Sequence, residues 1–158
     1  VTDPPFLSLV VPAYREAATL QTSLPELRDW AASLPYRSEV ILVDDGSDDD
    51  TAAVAESFVA DWPDTSRLRV LRHRANRGKG AAVRTGMCTV QGDVAVFTDA
   101  DLAYGTDQVD DVVAALTSGS GDGPDVVGPD VVGPDVVVGR RAHRVGIARA
   151  AAGGAFSV

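Results

Sequence analysis

The sequence predicts an α/β protein with a doubly wound, mostly parallel sheet covered by helices on both faces. Three observations predict it. Strand-like and helix-like segments alternate along the chain, the pattern of successive βαβ units. The strand-like segments are apolar almost throughout, as expected of strands covered on both faces. Polar residues collect at the carboxyl ends of three of these strands, at Ala13–Glu16, Asp44–Asp45 and Asp99–Asp101. In open α/β sheets ligands bind outside those ends.

The elements follow in order. "FLSLVVPAY", residues 6–14, reads as a buried strand stopped by Pro12. "SLPELRDWAASL" begins with Ser23 and has Glu26 three residues on, a capping-box pattern, with Pro25 in the first turn. Leu24, Leu27, Trp30, Ala31 and Leu34 then recur at helical spacing, so a helix is expected from Ser23. "EVILVDDGSDDDT" gives a strand, Val40–Val43, then an acidic turn in which Ser47 and Asp50 are expected to cap the helix "TAAVAESFVADW". "LRVLRH" is a short strand, and "NRGKGAAVRTGMCTV" a glycine turn entering a helix over about 80–90. "DVAVFTDADL" is a strand ending in two aspartates. "DQVDDVVAALTSG" is a helix with Val109, Val112, Val113 and Leu116 on one side, closed by Gly119.

The unit GPDVV then occurs three times between Gly123 and Val137. A five-residue unit is short for a solenoid, and proline in each copy argues against a central strand for all three. The last copy, Pro134–Val138, is expected to be a strand, and residues 119–134 a repeat-containing surface loop.

The 158 residues make one domain, with 45% hydrophobic and 23% charged residues, close to globular averages. The net charge of −9 argues against nucleic acid as a partner, which calls for a basic stripe. Cys88, the single cysteine, excludes an internal disulfide and is expected to pack as a small apolar residue. No signal-like N-terminal region is visible, and no apolar run nears the ~20 residues of a membrane span. A cytoplasmic setting is the expectation.

Asp99 and Asp101 carry the chemistry. In extended chain, residues i and i+2 point to one side. Two carboxylates held together raise each other's pKa unless a positive charge lies between them. Both could serve as turn and cap residues, but the pair favours a divalent cation; hard oxygen ligands suit Mg2+ or Mn2+, completed by substrate phosphates. Asp44 and Asp45 fit either a turn or hydrogen bonds to a base and ribose. Arg77, Lys79 and Arg84 are either solvated charges or phosphate ligands. The adjacent guanidiniums of Arg140 and Arg141, after a strand, suit a phosphate. His73 and His143 show no ligand spacing and are expected at the surface. "RGKG" does not complete a P-loop, and Val83 breaks the dinucleotide fingerprint.

"VVPAYREAATL", "ILVDDGSDDDT", "NRGKGAAVRTGM" and "FTDADL", in this order and spacing, resemble the GT-A family 2 glycosyltransferases. Within that family they are most similar to polyprenyl-phosphate (dolichyl-phosphate) mannosyl- and glucosyltransferases. The similarity runs from Leu7 to about Arg141. It implies a Rossmann-like three-layer sandwich that binds a UDP- or GDP-sugar. By that resemblance Pro12, Ala13, Tyr14 and Glu16 line the nucleotide, Asp44 and Asp45 lie at base and ribose, and Lys79 joins the donor site. Asp99 and Asp101 form the D-x-D metal motif, with Asp101 and Arg140 as the catalytic residues. Arg15 stands where the family often has asparagine. The implied reaction is metal-dependent, inverting transfer of a hexose, with a polyprenyl phosphate at the cytoplasmic membrane face as acceptor. Related enzymes continue past the arginine strand, so residues 1–158 are expected to be a C-terminally truncated nucleotide-sugar-binding domain. Alternatives from other classes are a donor-binding module without transfer activity, a sugar nucleotidyltransferase, and an interaction domain built on the GPDVV repeats.

Overall fold

A computed structural model describes residues 7–118. The elements alternate: β1 (Leu7–Ala13), α1 (Ala17–Ser33), β2 (Ser38–Asp44), α2 (Thr51–Ser57), β3 (Ser66–Arg72), α3 (Lys79–Met87), β4 (Val94–Phe97) and α4 (Asp107–Ser118). Among the described residues the four strands form one sheet in the order β3-β2-β1-β4, every pair parallel. The repeats, the expected strand Pro134–Val138, Gly119, Arg140, Arg141 and His143 lie outside the described residues.

Alternation along each strand sorts the core into two layers. Leu7, Leu9, Val11, Val40, Leu42, Leu68 and Val96 pack with Leu20, Leu24, Leu27, Trp30 and Ala31 of α1, Ala55 of α2, and Val109 and Val113 of α4. Val10, Ile41 and Val43 face the other way, against Ala82 of α3 and the flanking Met87 and Val90. The result is the expected three-layer sandwich. On the thinner side α3 lies so close to β1 that a Cβ on Gly86 would fall 2.3 Å from Val10 Cγ1.

Several local expectations are corrected. α1 starts at Ala17, not at Ser23, and runs through Pro25. Burying Leu20 one turn ahead of Leu24 extends the apolar stripe, and this outweighs the capping-box pattern. Pro25 donates no hydrogen bond, so the carbonyl of exposed Gln21 is left to solvent. α2 stops at Ser57 rather than continuing to Trp62, and Ser47 and Asp50 do not cap it. Asp49 does so instead, accepting from Thr51 N at 3.1 Å. Ser47 Oγ accepts from Arg15 N at 2.9 Å, and Thr51 Oγ1 from Glu16 N at 2.8 Å. The start of α1 is thereby fastened to the β2–α2 turn. Cys88 is exposed at the end of α3 rather than packed.

Candidate functional site

Because all four strands run parallel, their carboxyl ends share one edge, and a cleft of about 330 Å3 opens there. It is lined by Pro12, Ala13, Tyr14, Glu16, Asp45, Asn76, Lys79, Ala82, Asp99, Ala100 and Asp101. Eight residues singled out in the sequence are thus brought together: Pro12, Ala13, Tyr14, Glu16, Asp45, Lys79, Asp99 and Asp101. Asp44 is not among the lining residues, and Arg140 lies outside the described residues.

The walls of the cleft are loops pinned to one another. Arg15, at a φ of 57°, ends the β1–α1 turn and pairs through Nε and Nη2 with both carboxylate oxygens of Asp48, each at 2.7 Å. Its guanidinium also lies 5.3 Å from the centre of the Tyr14 ring. Gly46 has a φ of 72°, and a Cβ there would sit 2.4 Å from the backbone of Ala75. Only glycine lets the β2–α2 turn touch the loop after β3.

Asp44 and Asp45, adjacent at the end of β2, diverge. Asp44 is fully buried; its Oδ1 accepts from Ser47 N at 3.0 Å, and its Oδ2 forms an ion pair with Arg72 Nε at 3.0 Å. Asp45 borders the cleft yet is 2% exposed. Its carboxylate takes His73 Nδ1 at 2.6 Å, Arg77 N at 3.0 Å and Gly78 N at 2.7 Å. Burial alone would push this carboxyl up, but the bonds from His73, Arg77 and Gly78 outweigh it and hold the group below its ordinary value. His73, expected at the surface, is therefore buried, with Nε2 2.9 Å from Thr85 Oγ1.

Asp99 and Asp101 reach the cleft by a route different from the one expected. β4 ends at Phe97, and both aspartates sit in a turn where Leu102 N bonds Asp99 O at 3.1 Å and Leu102 has a φ of 48°. The turn, not strand pleating, brings both carboxylates to the site. Asp101 Oδ1 accepts from Ala103 N at 3.1 Å, and Asp99 Oδ1 holds the Lys79 ammonium.

The donor set fits a hard divalent cation. Among the lining side chains, the carboxylates of Asp99 and Asp101 are both reachable by solvent, and a cationic group already rests on Asp99. No cluster of three or more potential metal ligands occurs among the described residues. Such a pair suits an ion that keeps waters and takes substrate phosphates.

Comparison with known proteins agrees with this geometry. The family model "Glycosyl transferase family 2" matches residues 8–151. The chain belongs to this family. It is 40% identical over 115 residues to the dolichyl-phosphate beta-glucosyltransferase of Drosophila melanogaster, covering 70% of this chain and 35% of that protein. It is 33% identical over 114 residues to the undecaprenyl-phosphate 4-deoxy-4-formamido-L-arabinose transferase of Shewanella sediminis, covering 72% of this chain and 34% of that one. Among solved structures it resembles the mannosyltransferase PcManGT from Pyrobaculum calidifontis in complex with GDP-Man and Mn2+. That match has a TM-score of 0.56 and 30% identity, and covers 63% of this chain and 28% of that one. The chain spans about a third of the length of the curated relatives it matches. The fold expected from the sequence, a mostly parallel sheet between helices of GT-A type, is the fold observed.

Asn76 and His73 were not singled out for the site by sequence reasoning. Asn76 carries no signal beyond its place before "RGKG". His73 follows directly after β3, and its partner Asp45 is 28 positions earlier, so nothing local marks it.

Proposed function

We propose that this domain binds a UDP- or GDP-sugar in the cleft and passes its hexose to a polyprenyl phosphate. The observation that carries this reading is the convergence of Asp99, Asp101 and Lys79 with Pro12, Ala13, Tyr14, Glu16 and Asp45 around one opening. Tyr14, 39% exposed, offers a ring and a hydroxyl to a base or ribose. Asp45 also lines the cleft, and the adjacent Asp44 is buried against Ser47 and Arg72. Lys79 supplies a positive charge for a diphosphate. Asp99 and Asp101 are the residues that would hold Mg2+ or Mn2+, an ion that neutralises the diphosphate when bound.

An acceptor phosphate oxygen attacks the anomeric carbon from the face opposite the diphosphate. The new carbon–oxygen bond forms as the bond to the β-phosphate oxygen breaks, and the nucleoside diphosphate leaves with the electron pair. The configuration inverts. A polyprenyl phosphate arrives ionised, so no protein base is needed. Arg140, outside the described residues, is assigned to phosphate in this reading. The lipid acceptor is what would bring the domain to a membrane surface; no helix among the described residues is long and apolar enough to cross one. Both named relatives act on polyprenyl phosphates by their names, which supports this acceptor class.

The test is calorimetry with UDP- and GDP-glucose and -mannose, with Mn2+ or with chelator, beside transfer to a short polyprenyl phosphate. Binding that needs the metal and is lost in Asp101→Ala is the expected result. Undiminished binding and transfer in chelator would refute the metal assignment. Binding without transfer would leave a donor-binding module.

A further inference from the structure

We propose that His73 is a positioning residue for the donor site: it holds the Asp45 carboxylate in the orientation that fastens the Asn76–Lys79 turn. The inference rests on the nucleotide-sugar reading of the cleft.

α3 begins at Lys79, and Gly78, which precedes it, has no side chain to cap the helix. The N–H groups of Arg77 and Gly78 instead donate to Asp45, which comes from the end of a different strand. Asp45 therefore ties down, across the sheet edge, the two residues that lead into α3, and this turn presents Asn76 and Lys79 to the cleft. A carboxylate has about four acceptor positions. Arg77 N reaches both oxygens, at 3.0 and 3.2 Å, Gly78 N takes Oδ2, and the position left on Oδ1 goes to His73 Nδ1 at 2.6 Å.

The imidazole is itself fixed. Nδ1 donates to the anionic carboxylate, and Nε2 lies 2.9 Å from the Thr85 hydroxyl of α3, which can serve as donor or acceptor. The backbone N–H of His73 also bonds Asp44 O at 2.9 Å. A path of direct contacts thus runs from Thr85 through His73 and Asp45 to Gly78, and on through Lys79 to Asp99. Asp45 is occupied by its own chain, so its influence on a donor passes through the turn it holds. Without His73 the carboxylate would be buried with one fewer donor, and its orientation would rest on the two backbone N–H groups alone.

Hydrogen–deuterium exchange at residues 76–79 and calorimetry with GDP and UDP in Mn2+ test this. His73→Ala is expected to speed exchange at Arg77 and Gly78 and to weaken nucleotide binding, each by roughly tenfold, the cost of one charge-assisted hydrogen bond. His73→Asn, whose amide N–H takes the place of Nδ1–H, is expected to recover most of both losses. His73→Gln, whose N–H falls nearer Nε2, is not, and this pair decides the matter should the alanine variant fail to fold. Ser8→Ala, at the far end of the sheet, is a control that lowers stability without moving either readout. Unchanged exchange in His73→Ala, or faster exchange with intact nucleotide affinity, would overturn the proposal, as would equal behaviour of the asparagine and glutamine variants. If the unaltered protein binds neither nucleotide, the donor reading falls, and His73 loses its donor-site role even if exchange shows that it holds the turn.

Discussion

At the amino ends of the strands, Glu39 of β2 is 1% exposed and closed in by its own chain. Ser8 Oγ and Gln91 N each reach it at 2.7 Å, and Arg69 Nη1 at 2.9 Å. Arg69 also donates to Thr89 O, and Gly92 N to Ser8 Oγ, so the segment between α3 and β4 is fastened beneath the sheet. At the carboxyl ends, Asp45 is nearly as buried and also served by three donors, but beside it Asp99 and Asp101 remain open to solvent. At the amino edge the buried Glu39 is satisfied from within. The other edge has satisfied Asp45 in the same way, whereas of the outer pair Asp99 holds Lys79 and Asp101 accepts, among the described residues, only from the Ala103 N–H. The difference teaches that a buried, fully bonded carboxylate organises backbone, whereas an accessible pair keeps acceptor positions open to solvent.

The comparison breaks first if the lower edge tolerates loss of its carboxylate. Glu39→Ala leaves Arg69, Ser8 and the Gln91 N–H without their partner, and a loss of about 3 kcal/mol in denaturant unfolding is expected, with nucleotide affinity of the folded fraction unchanged. Next comes the link between the edges. α3 begins at the cleft and ends near the Glu39 cluster, so Gly86→Ala should push it from Val10. Overpacking less the gain in helix propensity leaves a cost of about 1–2 kcal/mol. Here both unfolding and nucleotide binding should weaken.

Acid sharpens the comparison. For Glu39, burial pushes the carboxyl up, but hydrogen bonds from Ser8, Arg69 and Gln91 outweigh it and keep it below its ordinary value, as for Asp45. A depressed folded value means stabilisation that is present above the ordinary carboxyl range and lost as pH falls through the folded values. Thermal midpoints should therefore drop on acidification, and less steeply in Glu39→Gln. The smallest change in stability is expected at the outer pair. Asp99→Asn and Asp101→Asn should shift unfolding by no more than about 0.5 kcal/mol. Both should nevertheless lose Mn2+-dependent nucleotide binding in calorimetry. A large stability loss there would mean that the pair is structural.

Much of the fold was legible because parallel strands covered on both faces have to be apolar along their length, as "SLVVPA" and "EVILV" are. The start of α1 was not, because Ser23, Pro25 and Glu26 imitate a helix beginning while the burial of Leu20 sets the true one. In the site, the residues at strand ends were legible from topology alone. The different fates of Asp44 and Asp45 were not: both are acidic and adjacent at the end of β2, and what separates them is their partners, Ser47 and Arg72 for one and His73, Arg77 and Gly78 for the other. The Asp99–Asp101 pair was found for a reason the structure revises, since a turn rather than a pleat presents it.

The sheet order also bears on how the chain is assembled in the cell. β1 is flanked by β2, which follows it closely, and by β4, whose Val94 pairs with Leu7 near the opposite end of the described residues. A ribosome emits β1 well before its second neighbour, so an apolar strand waits with one edge unpaired until β4 follows. Pairings between distant segments close slowly, and open strand edges invite aggregation. That edge therefore stays open to other chains until Phe97 has left the exit tunnel.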